Sequence, residues 1–312
     1  AQASGVPMLE LTGRHAISFT RYCRGEYEVA IAEADAGLAY YDLDQERILA
    51  KTFGLSSAVC LRCSRANSLW MLGRLVDSDE EAARLLQLGR DLDHLPSLAA
   101  ALAFHLYGLG YRYSYEDRLD QLLDVTDELL ELSREEDFFL WYAVACTYRG
   151  LVAQALGEEG ARERMLEGLE LFQHTGSRLT LVQMNIMCGE ALYRMGEDDD
   201  AFRRLDVAEA EMMARHQGVL APDIWRIRGR LLAREGECSA AEASYRMAAV
   251  RARGQNALSL ELRAALDLYE LLAAEGRAEE GRLQLGGVLE RFTQGLDRPD
   301  LVRAVAIVGA TV

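Results

Sequence analysis

RGLVAQALGEEGA (149–161), CGEALYRMGEDDDA (188–201) and RGRLLAREGECSAA (228–241) lie over one another. A frame of Gly, six residues, Gly returns in them at Gly150/Gly157, Gly189/Gly196 and Gly229/Gly236, about forty positions apart, while nothing else is strictly kept. A spacing that outlives the residues around it reports backbone geometry rather than chemistry. The second glycine of each frame suits the left-handed conformation that ends a helix. The first lies two turns back on the same face, where a missing side chain lets a neighbouring helix come close.

Outward from these frames, apolar positions at three- and four-residue steps pair up around short polar or glycine turns. The pairs are 14–24 with 26–40, 55–72 with 78–92, 96–112 with 115–133, 137–156 with 158–174, 178–195 with 197–216, 221–235 with 238–254 and 257–275 with 277–292. A last helix over 299–309 opens on Pro299, a residue well tolerated in a first turn. Turn glycines fall at Gly25, Gly73, Gly157, Gly196, Gly236 and Gly276, with none aligned in the third pair. Small residues follow in the second helices, at Ala30, Ala201, Ala241 and Gly281 and again at Gly37, Ala208 and Ala248; Ser78 departs from this pattern. The segment 41–54 reads as loop or an extra helical turn. This arrangement predicts an all-α, tetratricopeptide-like right-handed superhelix of about seven helix hairpins plus a terminal helix, although the period exceeds the 34 residues usual for that repeat. The chain is read as one helical-repeat domain over 1–312, irregular over 1–13.

Composition agrees. Only four prolines occur in 312 residues, half of which are apolar, so a sizeable core and near-continuous helix are expected. Strand alternation bounded by hairpin turns is absent. A formal charge of -16 would repel phosphates, which excludes nucleic acid as a partner of this chain alone. No apolar run approaches the roughly 18 residues of a membrane span, and AQASGVPM lacks the charged start and apolar centre of a signal peptide. Six cysteines inside apolar helical patterns fit a reducing, cytoplasmic compartment. Since the first residue is Ala, the ends are expected to be processed or the chain to be cut from something longer.

Four phrases go beyond generic repeats: DHLPSLAAALAFHLY (93–107), GEEGARERMLEGLELFQHTG (157–176), NALSLELRAALDLYELLAAEGRAEEGRLQLGGVLERF (256–292) and TQGLDRPDL (293–301). They resemble the C-terminal helical-repeat region of large bacterial signalling proteins. There, an adenylate/guanylate cyclase or a DNA-binding domain precedes an AAA/STAND-type ATPase and the repeats come last. The resemblance implies a sensor or scaffold arm controlling an attached ATPase, cyclase or DNA-binding module. Its motifs carry little chemistry. A P-loop needs Gly-Lys-Ser/Thr, and Lys51, the only lysine, lacks the glycine, so no nucleotide hydrolysis is expected.

Among chemical candidates, Cys60 and Cys63 offer a zinc half-site without a second pair. His15, His94, His105, His174 and His216 are scattered, and none stands in a helix-borne metalloprotease motif. No metal and no cofactor are therefore expected. Acidic runs at Glu197–Asp200 and Glu135–Asp137 lack the calcium-loop frame and are read as helix starts, where negative charge suits the dipole. No Gly-x-Ser-x-Gly elbow is present and no catalytic residue is assigned. Two aromatic runs, Tyr111-Arg-Tyr113-Ser-Tyr115 and Phe138-Phe139-Leu-Trp141-Tyr142, are read mostly as core between repeats.

Repeat geometry points to a binding face. If Gly150, Gly189, Gly229 and Tyr269 occupy equivalent places on first helices, residues three before, one after and four after them face the concave wall. Those positions hold Thr147, Gln154, Glu190, Tyr193, Arg226, Arg230 and Glu270, with Gln183 and Arg263 six before their own references. Arg226, Arg230 and Arg263 would grip a carboxylate or phosphate; the preferred alternative pairs them with Glu190, Glu270 and neighbours across repeats. The resulting expectation is a non-enzymatic module binding a protein, a peptide or a small effector on its concave face in bacterial signal transduction. A self-standing enzyme with a pocket in the helical curl and a structural oligomerisation arm are the alternatives.

Overall fold

The computed structural model describes residues 7–113, 115–178 and 180–309, with the backbone alone for 7–9. Sixteen helices and no strand occur among the described residues. In order they are α1 (Pro7–Cys23), α2 (Tyr27–Leu38), α3 (Leu43–Phe53), α4 (Ser57–Met71), α5 (Leu75–Asp91), α6 (Leu95–Leu109), α7 (Leu119–Glu135), α8 (Phe139–Leu156), α9 (Ala161–His174), α10 (Leu181–Met195), α11 (Asp198–Arg215), α12 (Ala221–Arg234), α13 (Cys238–Gly254), α14 (Leu258–Ala274), α15 (Ala278–Leu289) and α16 (Pro299–Gly309). The seven expected hairpins are α1/α2, α4/α5, α6/α7, α8/α9, α10/α11, α12/α13 and α14/α15, followed by the terminal helix α16. All four prolines, Pro7, Pro96, Pro222 and Pro299, sit in the first turn of a helix, where the missing N–H removes no intrahelical bond.

By internal contact the residues fall into two compact units. The first comprises 1–69, 77–114 and 118–178; the second comprises 70–76, 115–117 and 179–312. In the first, a representative core patch joins Leu11, Ala34, Leu49 and Leu61. In the second, Ala241 and Tyr245 of α13 pack with Leu268 and Leu272 of α14. Within the second unit, α12 also touches both α10 and α14, so these three first helices are neighbours.

Glycine explains how the hairpins close. The turn glycines Gly25, Gly73, Gly157, Gly196, Gly236 and Gly276 all have φ between 70° and 84°. In the third hairpin, which has no aligned glycine, Asp117 takes the left-handed conformation at φ 54°. The first glycine of each frame allows close approach, but to the partner helix of its own hairpin. A Cβ on Gly150 would lie 2.4 Å from the backbone N and Cα of Met165, and one on Gly229 would lie 2.6 Å from the Tyr245 ring. At Gly189 the neighbour, Leu205 Cδ2, is 3.2 Å away. In α14/α15 the roles reverse, since Tyr269 stands where glycine is expected and Gly281 opposite it leaves the room. Ser78 also fits: it is fully buried, and its hydroxyl donates to the Ala66 carbonyl at 2.8 Å.

Four expectations need correction. Helix begins at Pro7, so 7–13 are not irregular, and 1–6 lie outside the described residues. The 41–54 stretch is a complete helix, α3, because the Asp42 carboxylate accepts from the Gln45 backbone N–H at its start and Gly54 turns left-handed at its end. Glu135–Asp137 ends α7 and leads into the following turn, unlike Glu197–Asp200, which does open α11. Of the second aromatic run, Phe139 is exposed and Phe138, Trp141 and Tyr142 are only partly buried, so this run is not core.

Gly150→Ala is expected to destabilise the protein by about 1–3 kcal/mol or more, because a methyl group is driven into backbone that cannot rotate away. Gly189→Ala, facing a flexible leucine terminus, is expected to cost clearly less. Chemical denaturation of both variants checks the order.

Candidate functional site

Three first helices of the second unit carry the candidate residues. Gln183, Glu190 and Tyr193 lie on α10, Arg226 and Arg230 on α12, and Arg263 and Glu270 on α14. Residues three before and one after Gly229 are turned about 60° and 100° from it around the helix, so they face away from α13 and towards the neighbouring first helices.

There Arg226 is fully buried. Its Nε donates to Asp223, Nη2 to Glu190 Oε2 at 3.0 Å, and Nη1 to the Tyr115 hydroxyl at 2.8 Å and Asp267 Oδ2 at 3.3 Å. Arg230 grips Asp267 with both ends of its fork, at 2.6 and 2.7 Å, and reaches Glu190 Oε1 at 3.3 Å. Tyr115 donates to Glu190 Oε1 at 2.6 Å, and Arg194 donates to the same oxygen at 3.2 Å. Burial by itself would raise the Glu190 carboxyl; the charges of Arg226, Arg194 and Arg230 outweigh it and hold the group well below the usual carboxylate range. Burial likewise opposes the charge on Arg226, and Asp223, Glu190, Tyr115 and Asp267 overcome it.

Arg263 differs. Its guanidinium is buried, stacked 3.9 Å from the Tyr115 ring centre and 4.8 Å from that of Trp70, and 3.7 Å from Asp223. None of its three side-chain nitrogens has a hydrogen-bond acceptor among the described residues. Cation–π attraction from two rings supplies what the missing acceptors do not. Above the buried charges lies a more accessible layer: Tyr193 is half-buried with the Arg234 guanidinium 3.9 Å over its ring, Arg230 is also half-buried, and Arg194 is exposed.

The other candidates lie outside the ionic cluster. Thr147, in the first unit, is buried with its hydroxyl on the Ala143 carbonyl at 3.0 Å. Gln154 meets the Tyr113 hydroxyl at 3.5 Å, and Gln183 is buried on α10. Glu270 is exposed and pairs with Arg303, not with the cluster. The alternative pairing thus describes Glu190 and fails for Glu270. Asp223, Asp267, Arg194, Tyr115 and Trp70 were not assigned to the face. Asp223 precedes Arg226 by three residues, a spacing at which opposite charges meet on a helix, so part of the signal was present; Asp267 follows Arg263 by four but pairs with Arg226 and Arg230 instead.

Cys60 and Cys63 are buried, and burial raises both thiols. His105 is buried in the first unit and pushed down to about 3, by burial first and then by Arg112 and Arg118, which marks it as a neutral core histidine. No group of three or more metal-capable side chains occurs among the described residues. Nor is any helix among them long and apolar enough to cross a membrane.

No protein-family model matches the chain, and no curated protein matches it. Among solved structures it is similar to a Rap protein complexed with competence and sporulation factor, with a TM-score of 0.54 and 13% sequence identity over 96% of this chain and 78% of that chain. At that identity the likeness concerns the fold, which is a tetratricopeptide-like helical repeat.

Because the folded carboxyl of Glu190 is depressed, its contribution is present above the unfolded value of about 4.3 and lost as pH falls from there through the folded value. Glu190→Gln is therefore expected to cost about 3–5 kcal/mol at neutral pH. Urea titrations across pH check that the gap from wild type holds above pH 5 and narrows in acid.

Proposed function

We propose that this chain is a non-catalytic interaction module that holds a protein or peptide partner on the face formed by α10, α12 and α14. The carrying observation is the layering of that face: a mutually neutralised ionic cluster below, and Tyr193, Arg194, Arg230 and Arg234 above it. Tyrosine and arginine together are the composition of interface anchors, since they bring large contact area and directed donors at low entropic cost. Salt bridges beneath fix the arginine rotamers before a partner arrives, which lowers the ordering cost of binding. The Rap protein similar in fold was solved with a competence and sporulation factor, which supports a proteinaceous occupant for a scaffold of this kind.

In this reading the module belongs to a bacterial signal-transduction protein, in the cytoplasm, and controls an attached or associated ATPase, cyclase or DNA-binding domain. Six free thiols, four of them buried, support a reducing compartment. The partner supplies acidic or hydrogen-bond-accepting groups to the upper arginines, because these are the cluster's more accessible donors.

Affinity capture from native extract followed by mass spectrometry checks the assignment. The wild-type chain is expected to retain a protein that Tyr193→Ala and Arg194→Glu both lose, with circular dichroism checking that each variant stays helical, since Arg194 also donates to Glu190 at 3.2 Å. Retention of the same proteins by both variants contradicts the assignment of this face.

A further inference from the structure

In the first unit, α3 stands outside the register of the hairpins and is held by few side chains. Leu49 and Ala50 are its buried apolar residues, and Leu49 joins Leu11, Ala34 and Leu61 of α1, α2 and α4; Ile48 and Phe53 are 66% and 59% exposed. Arg47 donates to the Asp91 carbonyl at the end of α5, at 2.7 and 3.3 Å. The remaining anchor is Glu46, which is buried. Its Oε2 accepts from the Ser56 hydroxyl and, at 3.2 Å, from the Ala58 backbone N–H in the first turn of α4. A helix of 11 residues is marginal once such anchors let go.

Glu46 is an acid buried without a cation. Its Oε1 is out of contact with water and has no hydrogen-bond partner, and no arginine, lysine or histidine pairs with it among the described residues. The cations on the elements around it have other partners: Arg14 of α1 takes Glu33 of α2 at 2.5 Å, Arg62 of α4 takes Glu81 at 2.7 Å, and Arg47 takes Asp44 at 3.2 Å. Nearby acids are also occupied, Glu10 by Arg14 at 3.5 Å, Asp35 by Arg65 at 2.6 Å, Asp42 by the Gln45 N–H and Asp91 by Gln87. Burial raises the Glu46 carboxyl, against the pull of the Ser56 and Ala58 donors. The Tyr41 hydroxyl and the Cys60 thiol, which both feel Glu46, are raised by burial too and stay neutral up to neutral pH. His94 is lowered by burial and by Lys51 of α3; protonating it in acid sets two positive charges against each other and loosens that end of the helix.

We propose that α3 is an acid-seated strap: with the Glu46 carboxyl neutral it stays on α4, and ionisation of that carboxyl loosens it and uncovers Leu11, Ala34 and Leu61. A carboxyl raised by burial supports docking fully below its released value of about 4.3, and that support is lost as pH rises through the docked value. His94 acts with the opposite sign, so loosening on a rise in pH belongs to Glu46.

Lys51 is the only lysine of the chain, so endoproteinase Lys-C has one site, which it reaches when α3 opens. At pH 7.5 the full chain carrying Glu46→Gln, neutral at every pH, is expected to be cut about threefold or more slower than wild type. Hydrogen exchange of the intact wild-type chain, corrected for intrinsic rates, is expected to show protection of 43–53 falling from pH 5 to pH 7.5 while that of α12 holds, and no such fall in Glu46→Gln. The proposal is overturned by equal or faster cleavage of the variant, by wild-type protection of 43–53 that holds or rises with pH, or by a fall shared with α12. Urea unfolding checks that the variant is folded; should it not be, the wild-type exchange series decides alone.

Discussion

Close packing across the hairpins, where a glycine meets backbone at Gly150 and a ring at Gly229, is the constraint from which the rest follows. Where Gly150 meets Met165, or Gly229 meets the Tyr245 ring, no Cβ can be accommodated, so the two helices of a hairpin are locked in rotation as well as in distance. A first helix fixed in this way has one face committed to its partner. Its remaining faces are then set, and residues three before and one after the glycine must look towards the adjoining first helices. Close approach occurs within hairpins at Gly150 and Gly229 and also between successive hairpins, where a Cβ on Gly37 would lie 2.8 Å from Leu61 and one on Gly89 2.7 Å from Ala101, while larger side chains such as Tyr245, Leu268 and Leu272 fill the space from α13 to α14.

That geometry brings Arg226, Arg230, Glu190, Asp223 and Asp267 together away from water. Buried charge is tolerable only when neutralised and hydrogen-bonded, and here three carboxylates answer the cluster's arginines. Gains of this kind specify an arrangement more than they add stability, because the same volume filled by apolar side chains would avoid desolvating the ions. The cluster therefore acts as a registration device between α10, α12 and α14, and the arginines above it inherit defined positions. Arg263 shows the limit of the scheme: ring faces, rather than acceptors, hold its charge.

Much of the fold was legible because glycine spacing and apolar periodicity are written locally. The Gly-to-Gly frames located the hairpins, while α3 was missed because its signals, Asp42 with Gln45 and then Gly54, lie outside the repeat register. The face of α10, α12 and α14 was partly legible, since offsets from the glycines select Glu190, Arg226, Arg230 and Arg263. Which acid each arginine takes is a tertiary matter, and so Glu270 was assigned wrongly in place of Asp267. Tyr115 could not be foreseen at the cluster, because its position depends on the turn that carries it and no periodicity describes a turn.

The buried arginine charge of this face, centred on Arg226 and its neighbour Arg230, is neutralised by Glu190, Asp223 and Asp267 of the same chain, which makes it structural. A double-mutant cycle on Arg230→Met and Asp267→Leu, read by chemical denaturation, tests it most directly. Each single change removes the two-pronged partner of the other residue, leaving Asp267 only Arg226 at 3.3 Å or Arg230 only Glu190 at 3.3 Å, whereas the double change removes both groups, so the double variant is expected to be more stable than the sum of the singles by about 1–3 kcal/mol. Additivity within about 0.5 kcal/mol would contradict the claim.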